Sequence, residues 1–288
     1  MQRYYLKDLL KEVFPNGYEM DGRLYGGMMN VSYLINANDK QYVVYIPNGK
    51  ANKLVDRPVE LENTKNFESL NLTSPTIYFD TVRGIKIKEY IPGLSLNKVI
   101  TYDVKKVAEL LHRIHDSKRL APNDYRPFDR LSHYENRALQ YGPETNDYRK
   151  LKDFLTIKSQ DLVNKHKVFS HNDFQKSNII LGTDENYYIV DFEFAGNSDE
   201  VYDIAAFAND SLEEGEALLE AYFNNKVPKS ARKRFYLWRI FISLQWHVTA
   251  IAKHYQNEGR ATRINFLKVA DHFINIAKEA QEKYIALE

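Results

Sequence analysis

The chain has 288 residues, 43% of them hydrophobic and 27% charged, enough to build one large domain or two smaller ones. Forty basic residues nearly cancel thirty-nine acidic ones, which removes a general basic field for nucleic acid, and the absence of cysteine removes disulfides and thiolate metal sites. No apolar run approaches the ~18 residues a membrane span requires. The start, Met1 to Asp8, is amphipathic rather than signal-like, so a cytoplasmic, reducing location is the expectation.

In chain order, Leu6, Leu9, Leu10, Val13 and Phe14 lie at helical spacing, and Pro15-Asn16-Gly17 ends that helix. Strand patterns follow over 18–24, 31–37 and 41–46, with Gly26-Gly27 joining the first two and Asn38-Asp39 turning a hairpin. A helix is predicted over 59–70, then strands over 76–79 and 85–90. Five strands with one inserted helix make a small antiparallel lobe. Pro92 removes a donor and Gly93 relaxes the backbone, so the boundary is placed there, giving lobes 1–91 and 92–288. The second lobe reads as mainly helical, over 103–117, 134–141, 148–165, 212–224, 230–255 and 261–284.

One stretch interrupts those helices. His171-Asn172-Asp173-Phe174-Gln175-Lys176-Ser177-Asn178 is a polar loop; Ile179-Ile180-Leu181 reads as an apolar strand, Gly182 as a turn, and Tyr188-Ile189-Val190 as a second strand leading into Asp191-Phe192-Glu193. Asp173, then Asn178, then Asp191 is the order of the catalytic loop and metal-binding Asp of eukaryotic-type kinases, with His-x-Asp for His-Arg-Asp. Phosphoryl transfer needs positioning and charge neutralisation more than covalent chemistry. Asp173 would orient or accept the proton of an attacking hydroxyl. Asn178 and Asp191 offer hard oxygens suited to Mg²⁺, and Glu193 an outer or second-metal oxygen. His171 has two readings, a brace for the loop or an acid–base group. Gly26-Gly27, ahead of Asn30, is either a plain hairpin or a turn that brings backbone N–H groups to phosphates.

Gly26-Gly27-x-x-Asn30, Arg57-x-x-Glu60, Glu89-Tyr90-Ile91-Pro92-Gly93, Leu111-His112-x-Ile114-His115, His171-x-Asp173-x-x-x-x-Asn178, Asp191-Phe192-Glu193 and Tyr202-Asp203-Ile204-Ala205 occur in that order. In this the chain resembles the choline/ethanolamine kinase family, especially its bacterial branch, within the aminoglycoside-phosphotransferase and protein-kinase-like superfamily. The resemblance implies an α+β, two-lobed kinase-like fold binding ATP and Mg²⁺, with Asp173 as base and Asn178 and Asp191 as metal ligands. It implies adenine along the backbone of Glu89, Tyr90 and Ile91, Glu60 as the inserted-helix carboxylate, and Asp203 as a brace for the catalytic loop. For a quaternary ammonium it points to Asp210, Trp246 and the aromatic Phe194, since such a cation wants aromatic faces and a nearby carboxylate.

Three positions depart from the family pattern. Tyr45 stands where the third strand normally offers Lys or Arg, Met29 replaces a hydroxyl residue before Asn30, and Thr249 replaces a second pocket tryptophan. Lys50, Lys53 and Arg57 are the candidate substitutes for the missing cation. The expected activity is ATP-dependent phosphorylation of choline or a related small amino alcohol. An aminoglycoside or sugar kinase is the alternative within the superfamily, and a nucleotide-binding pseudokinase, motivated by Tyr45, the alternative outside enzymes. Glu213-Glu214-Gly215-Glu216 reads as a solvated helix face rather than an acidic acceptor pocket. Nothing in the sequence speaks to oligomeric state.

Overall fold

The computed structural model describes residues 2–24, 30–47, 55–142, 144–162, 166–258 and 264–288. They form two compact units: residues 1–100 with 177–195, and residues 101–176 with 196–288. The boundary read from the chain at Pro92-Gly93 therefore differs from the observed division. The physical reason is pairing. Strands β6 (Gly93–Ser95), β8 (Ile179–Gly182) and β9 (Tyr187–Ile189) form one sheet, and the Thr183 N–H donates to Pro92 O at 2.9 Å. Gly93 is required there, because a Cβ would collide with the Leu181 carbonyl.

The first unit begins with helix α1 (Gln2–Val13) and an antiparallel sheet of β1 (Glu19–Leu24), β2 (Asn30–Ala37), β3 (Lys40–Pro47), β4 (Thr76–Asp80) and β5 (Ile85–Glu89), in the order β1-β2-β3-β5-β4. Asn38 and Asp39 both adopt positive φ, 50° and 58°, as a two-residue hairpin turn between twisted strands demands. Leu9 and Leu10 of α1, with Phe14 just after its end, pack on Ile35, Tyr42, Val44, Ile85 and Ile87 to make this unit's core. Period-2 alternation then sends Tyr45, Lys86 and Lys88 to the opposite face. Helix α2 (Arg57–Ser69) is inserted between β3 and β4. Asp56 caps it by accepting the Val59 N–H at 3.2 Å, and Pro58 sits in its first turn.

The second unit contains helices α3 (Val104–His115), α4 (Pro127–Leu139), α5 (Asn146–Lys158), α6 (Glu200–Phe207), α7 (Leu212–Tyr222), α8 (Lys229–Tyr255) and α9 (Phe266–Ile285), with short strands β7 (Val168–Ser170) and β10 (Gly196–Ser198) paired antiparallel. Most of these helices were legible. Helix α4 starts seven residues before the predicted 134, at Pro127, whose fixed φ suits a first helical position. Helix α6 was missed as an element. It is buried on every side, from Val201 to Phe207 with Asp203 included, so it has no amphipathic stripe to announce it. The long α8 is the spine of the unit and buries Phe235, Leu237, Trp238, Ile240, Phe241 and Leu244. Among the described residues no helix is long and apolar enough to cross a membrane.

Candidate active site

In the first unit, β8 and β9 run antiparallel with Ile179 opposite Ile189, and the Val190 N–H donates to the Asn178 carbonyl at 3.0 Å. Asn178 and Asp191 are thereby held at adjacent ends of two paired strands. Asp191 takes the left-handed conformation, φ 69°, which is uncommon for a non-glycine residue and is retained only where surroundings impose it. Phe192 supplies that constraint by stacking on Phe67 of α2, ring centroids 4.3 Å apart and 17° from parallel. Such a pair adds about 0.5–1.5 kcal/mol beyond its burial. Asn63 of α2 donates to the Ala195 carbonyl at 2.9 Å, so both sides of Asp191-Phe192-Glu193 are tied to one helix.

The missing strand cation has a substitute that sequence reading did not name. Lys86 of β5 pairs in register directly across from Tyr45 of β3. Its ammonium lies 5.4 Å over the Tyr45 ring and forms a close ion pair with Glu60. Burial disfavours that ammonium, but the charges of Glu60, Asp191 and Glu193 outweigh it and leave the Lys86 pKa above the ordinary lysine value. Burial also pushes the Tyr45 phenol up to about 12, against the pull of Lys86, so Tyr45 is neutral at physiological pH.

Arg57, one of the named candidates, takes a different part. Its Nη1 bridges Glu60 at 2.6 Å and Glu193 at 2.9 Å, and Asn30 Nδ2 donates to the same Glu193 oxygen at 3.0 Å. Burial raises the Glu193 pKa, and Lys86, Asn30 and Arg57 reverse that to a net lowering, so Glu193 stays ionised. The signal for Lys86 was present in Ile85-Lys86-Ile87-Lys88, but alternating Lys reads as a solvent face. Lys50, Lys53, Gly26 and Gly27 lie outside the described residues.

At the end of β5 the Glu89 N–H donates to Pro75 O at 3.0 Å and the Tyr90 N–H to Gln41 O at 2.9 Å, while the Glu89 side chain pairs with Lys40 at 2.8 Å. Phe194 is half-buried. Among the described residues no cluster of three or more His, Asp or Glu side chains forms a metal cage. Asn178 and Asp191 nevertheless fit Mg²⁺, which takes one or two protein oxygens and completes an octahedron with phosphate oxygens and water.

In the second unit, Asp173 sits half-buried in a loop that hydrogen bonds hold at several points. The fully buried Asp203 of α6 accepts the His171 N–H at 2.9 Å and the Asn172 N–H at 2.6 Å, and His115 Nε2 lies 3.2 Å from it. Asn172 adopts φ 63°, and its side-chain amide donates to Gly196 O at 3.2 Å. His171 Nδ1 accepts the Asp173 N–H at 3.2 Å, so this nitrogen is unprotonated and braces the turn. Gln175 Nε2 reaches both Asp173 oxygens at 3.2 Å. Asp203→Ala would orphan two buried N–H donors at once, and a loss of about 2–5 kcal/mol is expected in urea unfolding. A loss under about 0.5 kcal/mol, the range of ordinary surface changes, would show that Asp203 is not the brace.

The acceptor-side candidates are not gathered in the same way. Asp210 is exposed and pairs with Lys176 at 3.3 Å, and Glu214 takes Lys176 more tightly, at 2.7 and 2.9 Å, while also accepting the Tyr102 hydroxyl at 3.0 Å. Glu216 accepts from Tyr236 at 2.6 Å and pairs with Lys283. Two carboxylates of the supposed solvated face are thus engaged. Trp246 stacks on Phe273 of α9, centroids 5.7 Å apart, and the guanidinium of Arg239 lies 6.0 Å over that same Phe273 ring.

Known proteins carry this arrangement further. Protein LicA of Haemophilus influenzae is 26% identical over 253 residues, covering 81% of this chain and 74% of the relative. The solved choline kinase LicA of Streptococcus pneumoniae superposes with a TM-score of 0.76 at 22% identity, covering 99% of both chains. A solved choline/ethanolamine kinase family protein of Mesorhizobium loti gives 0.79 at 19% identity, covering 100% of this chain and 99% of that one. These likenesses establish the α+β kinase-like fold. Residues 23–236, which hold the loop of Asp173, the Asp191 segment and the Lys86–Glu60 pair, match the model of the APH family, and the chain belongs to this phosphotransferase enzyme family.

Proposed function

We propose that the chain transfers the γ-phosphoryl group of ATP to the hydroxyl of a small amino alcohol, with choline and ethanolamine as the favoured acceptors. The observation that carries the reading is Asp173, a carboxylate on a loop fixed by Asp203, with its two oxygens oriented by Gln175. A base for phosphoryl transfer needs that arrangement, because its contribution depends on holding a lone pair in line with the acceptor proton. The 26% identity to LicA over most of the chain supports the choice of acceptor.

In this mechanism Asp173 orients the acceptor hydroxyl and takes its proton. The acceptor oxygen forms a bond to the γ-phosphorus as the bond to the bridging oxygen breaks, and ADP leaves with the electron pair. Lys86, kept charged by Glu60, faces the phosphate oxygens, and Arg57 holds Glu60 and Glu193 as a rigid pair. Asn178 and Asp191 would hold Mg²⁺, which would supply charge neutralisation for the transferring phosphoryl group. The backbone of Glu89 to Ile91 receives adenine. Asp210, Trp246 and Phe194 are the proposed acceptor contacts, and the charge of Lys86 removes the ground for a pseudokinase.

ATP consumption with Mg²⁺ across a panel of amino alcohols, sugars and aminoglycosides tests this. Turnover at or above about 1 s⁻¹, within the range typical of kinases, is expected with choline or ethanolamine. Turnover on an aminoglycoside or sugar with none on either amino alcohol would overturn the acceptor and leave phosphoryl transfer standing. That second reading draws on one observation. The carboxylates of Asp210 and Glu214 sit together on the ammonium of Lys176, as a polycationic acceptor would be met.

A further inference from the structure

Arg239 is the largest fully buried side chain of the described residues, and no carboxylate is among its hydrogen-bond partners. Its Nη1 donates to the Ala205 carbonyl at 2.8 Å and to Asn209 Oδ1 at 3.0 Å, and Nε and Nη2 donate to Ser243 Oγ at 3.3 and 3.2 Å. Burial pulls its pKa down to about 9, against the pull of Tyr202 and Asp210, so it remains a cation at neutral pH. A buried cation held only by neutral groups is costly, and the phosphoryl-transfer chemistry described above gives it no part.

Its hydrogen bonds lead to Asp173. Asn209 Nδ2 donates to Gln175 Oε1 at 3.0 Å, and Gln175 Nε2 donates to both oxygens of Asp173 at 3.2 Å. Chemistry fixes every orientation in this chain. A guanidinium has donors only, so the Asn209 atom facing it is the oxygen. Asn209 then turns its NH₂ to Gln175, which must answer with its oxygen, and Gln175 is left presenting its NH₂ to the carboxylate. The bonds run head to tail from a buried cation to an anion and polarise one another in one direction.

We propose that Arg239, acting through Asn209 and Gln175, positions Asp173 for catalysis by dictating that Gln175 offers it N–H and never C=O. The inference rests on the reading of Asp173 as the base. Arg239 and Asn209 are positioning residues in this scheme, since neither touches the reacting atoms.

Asn209→Asp separates this role from a structural one. The substitution keeps shape and gives Arg239 a direct counter-ion, but a carboxylate cannot donate to Gln175. The Gln175 amide then turns its NH₂ to the new carboxylate and its carbonyl to Asp173. The expected result is an unchanged or higher melting temperature, an unchanged KM for ATP, and kcat lower by about 10–100-fold, the scale of lost outer-shell support. Gln175→Leu, at a partly exposed side chain, should lower kcat similarly, and adding Asn209→Asp to it should lower kcat no further. Wild-type kcat in folded Asn209→Asp overturns the proposal, as does an undiminished effect of Asn209→Asp in the Gln175→Leu background. Asp173→Asn is the control: if it alone retains wild-type turnover, the reading of Asp173 as base is what has failed.

Discussion

Asp173→Asn is expected to lower kcat by about 10²–10⁴-fold, the usual contribution of a positioned general base, and to leave the KM for ATP close to the wild-type value. The substitution exchanges one carboxylate oxygen for NH₂ at constant size. The backbone bonds that shape the loop, from His171 and Asn172 to Asp203, do not involve the changed atom. The Asp173 N–H still donates to His171 Nδ1. What changes is that Gln175 Nε2, which now meets two acceptors, faces one oxygen and one NH₂. The variant is therefore expected to keep the fold and lose the proposed proton acceptor. Steady-state kinetics with the best acceptor of the panel, beside a thermal melt, measures both. A folded variant with wild-type kcat would remove Asp173 from the chemistry.

Much of the fold was legible because local signals and tertiary packing agree. The Asn38-Asp39 turn, the Asp56 cap of α2 and the capped starts of α3, α7 and α9 at Asp103, Ser211 and Asn265 are each a residue type whose side chain satisfies a specific backbone need. The loop from His171 to Asn178 and the Asp191 segment were legible for a related reason. Their order is fixed along the chain, and the paired apolar strands β8 and β9 bring Asn178 and Asp191 to adjacent strand ends within the first unit.

What failed to show in the sequence depends on facing. Ile85-Lys86-Ile87-Lys88 alternates as a half-exposed strand would, yet both lysines are buried. Burying them requires carboxylates from elsewhere in the chain, and Glu60 and Glu68, which answer them, lie on a helix whose register against the sheet no local pattern reveals. Arg239 was hidden in the same way. On a helix buried on nearly all sides, a lone arginine reads as a snorkelling surface residue, and its partners Asn209 and Ser243 carry no pattern of their own. The acceptor contacts are the least legible. Asp210 and Trp246 rest on the family resemblance, which does not say that Lys176 and Phe273 already occupy them.

Lys86→Met is expected to lower kcat/KM for ATP by about 10²–10³-fold, the scale of removing one preorganised charge-stabilising group. The ammonium of Lys86 sits among Glu60, Asp191 and Glu193. Without it, Arg57 remains as the cation bridging Glu60 and Glu193, and the approach of triphosphate oxygens meets more negative charge. Methionine gives up the ammonium over Tyr45 and Phe79 but keeps an unbranched apolar stem of similar length, so the packing contribution of the side chain is largely retained. Because a buried glutamate loses one of two cationic partners, a stability loss accompanies the change, and a melt at the assay temperature must show the variant folded. The sharper experiment exchanges the pair. Tyr45 and Lys86 are direct cross-strand neighbours on one face of the sheet, so Tyr45→Lys with Lys86→Tyr moves the ammonium about 5 Å, one strand spacing, and changes neither composition nor net charge. If the role of Lys86 is to set positive charge against Glu60 and the phosphates, the exchanged protein is expected to regain about tenfold over Lys86→Met, since the ammonium stays on the same face of the sheet. Full kcat/KM in folded Lys86→Met would assign the phosphate contact to another group. An exchanged protein no better than Lys86→Met would instead restrict the function to an ammonium on β5, and would leave Tyr45 as the residue that keeps β3 from competing for Glu60.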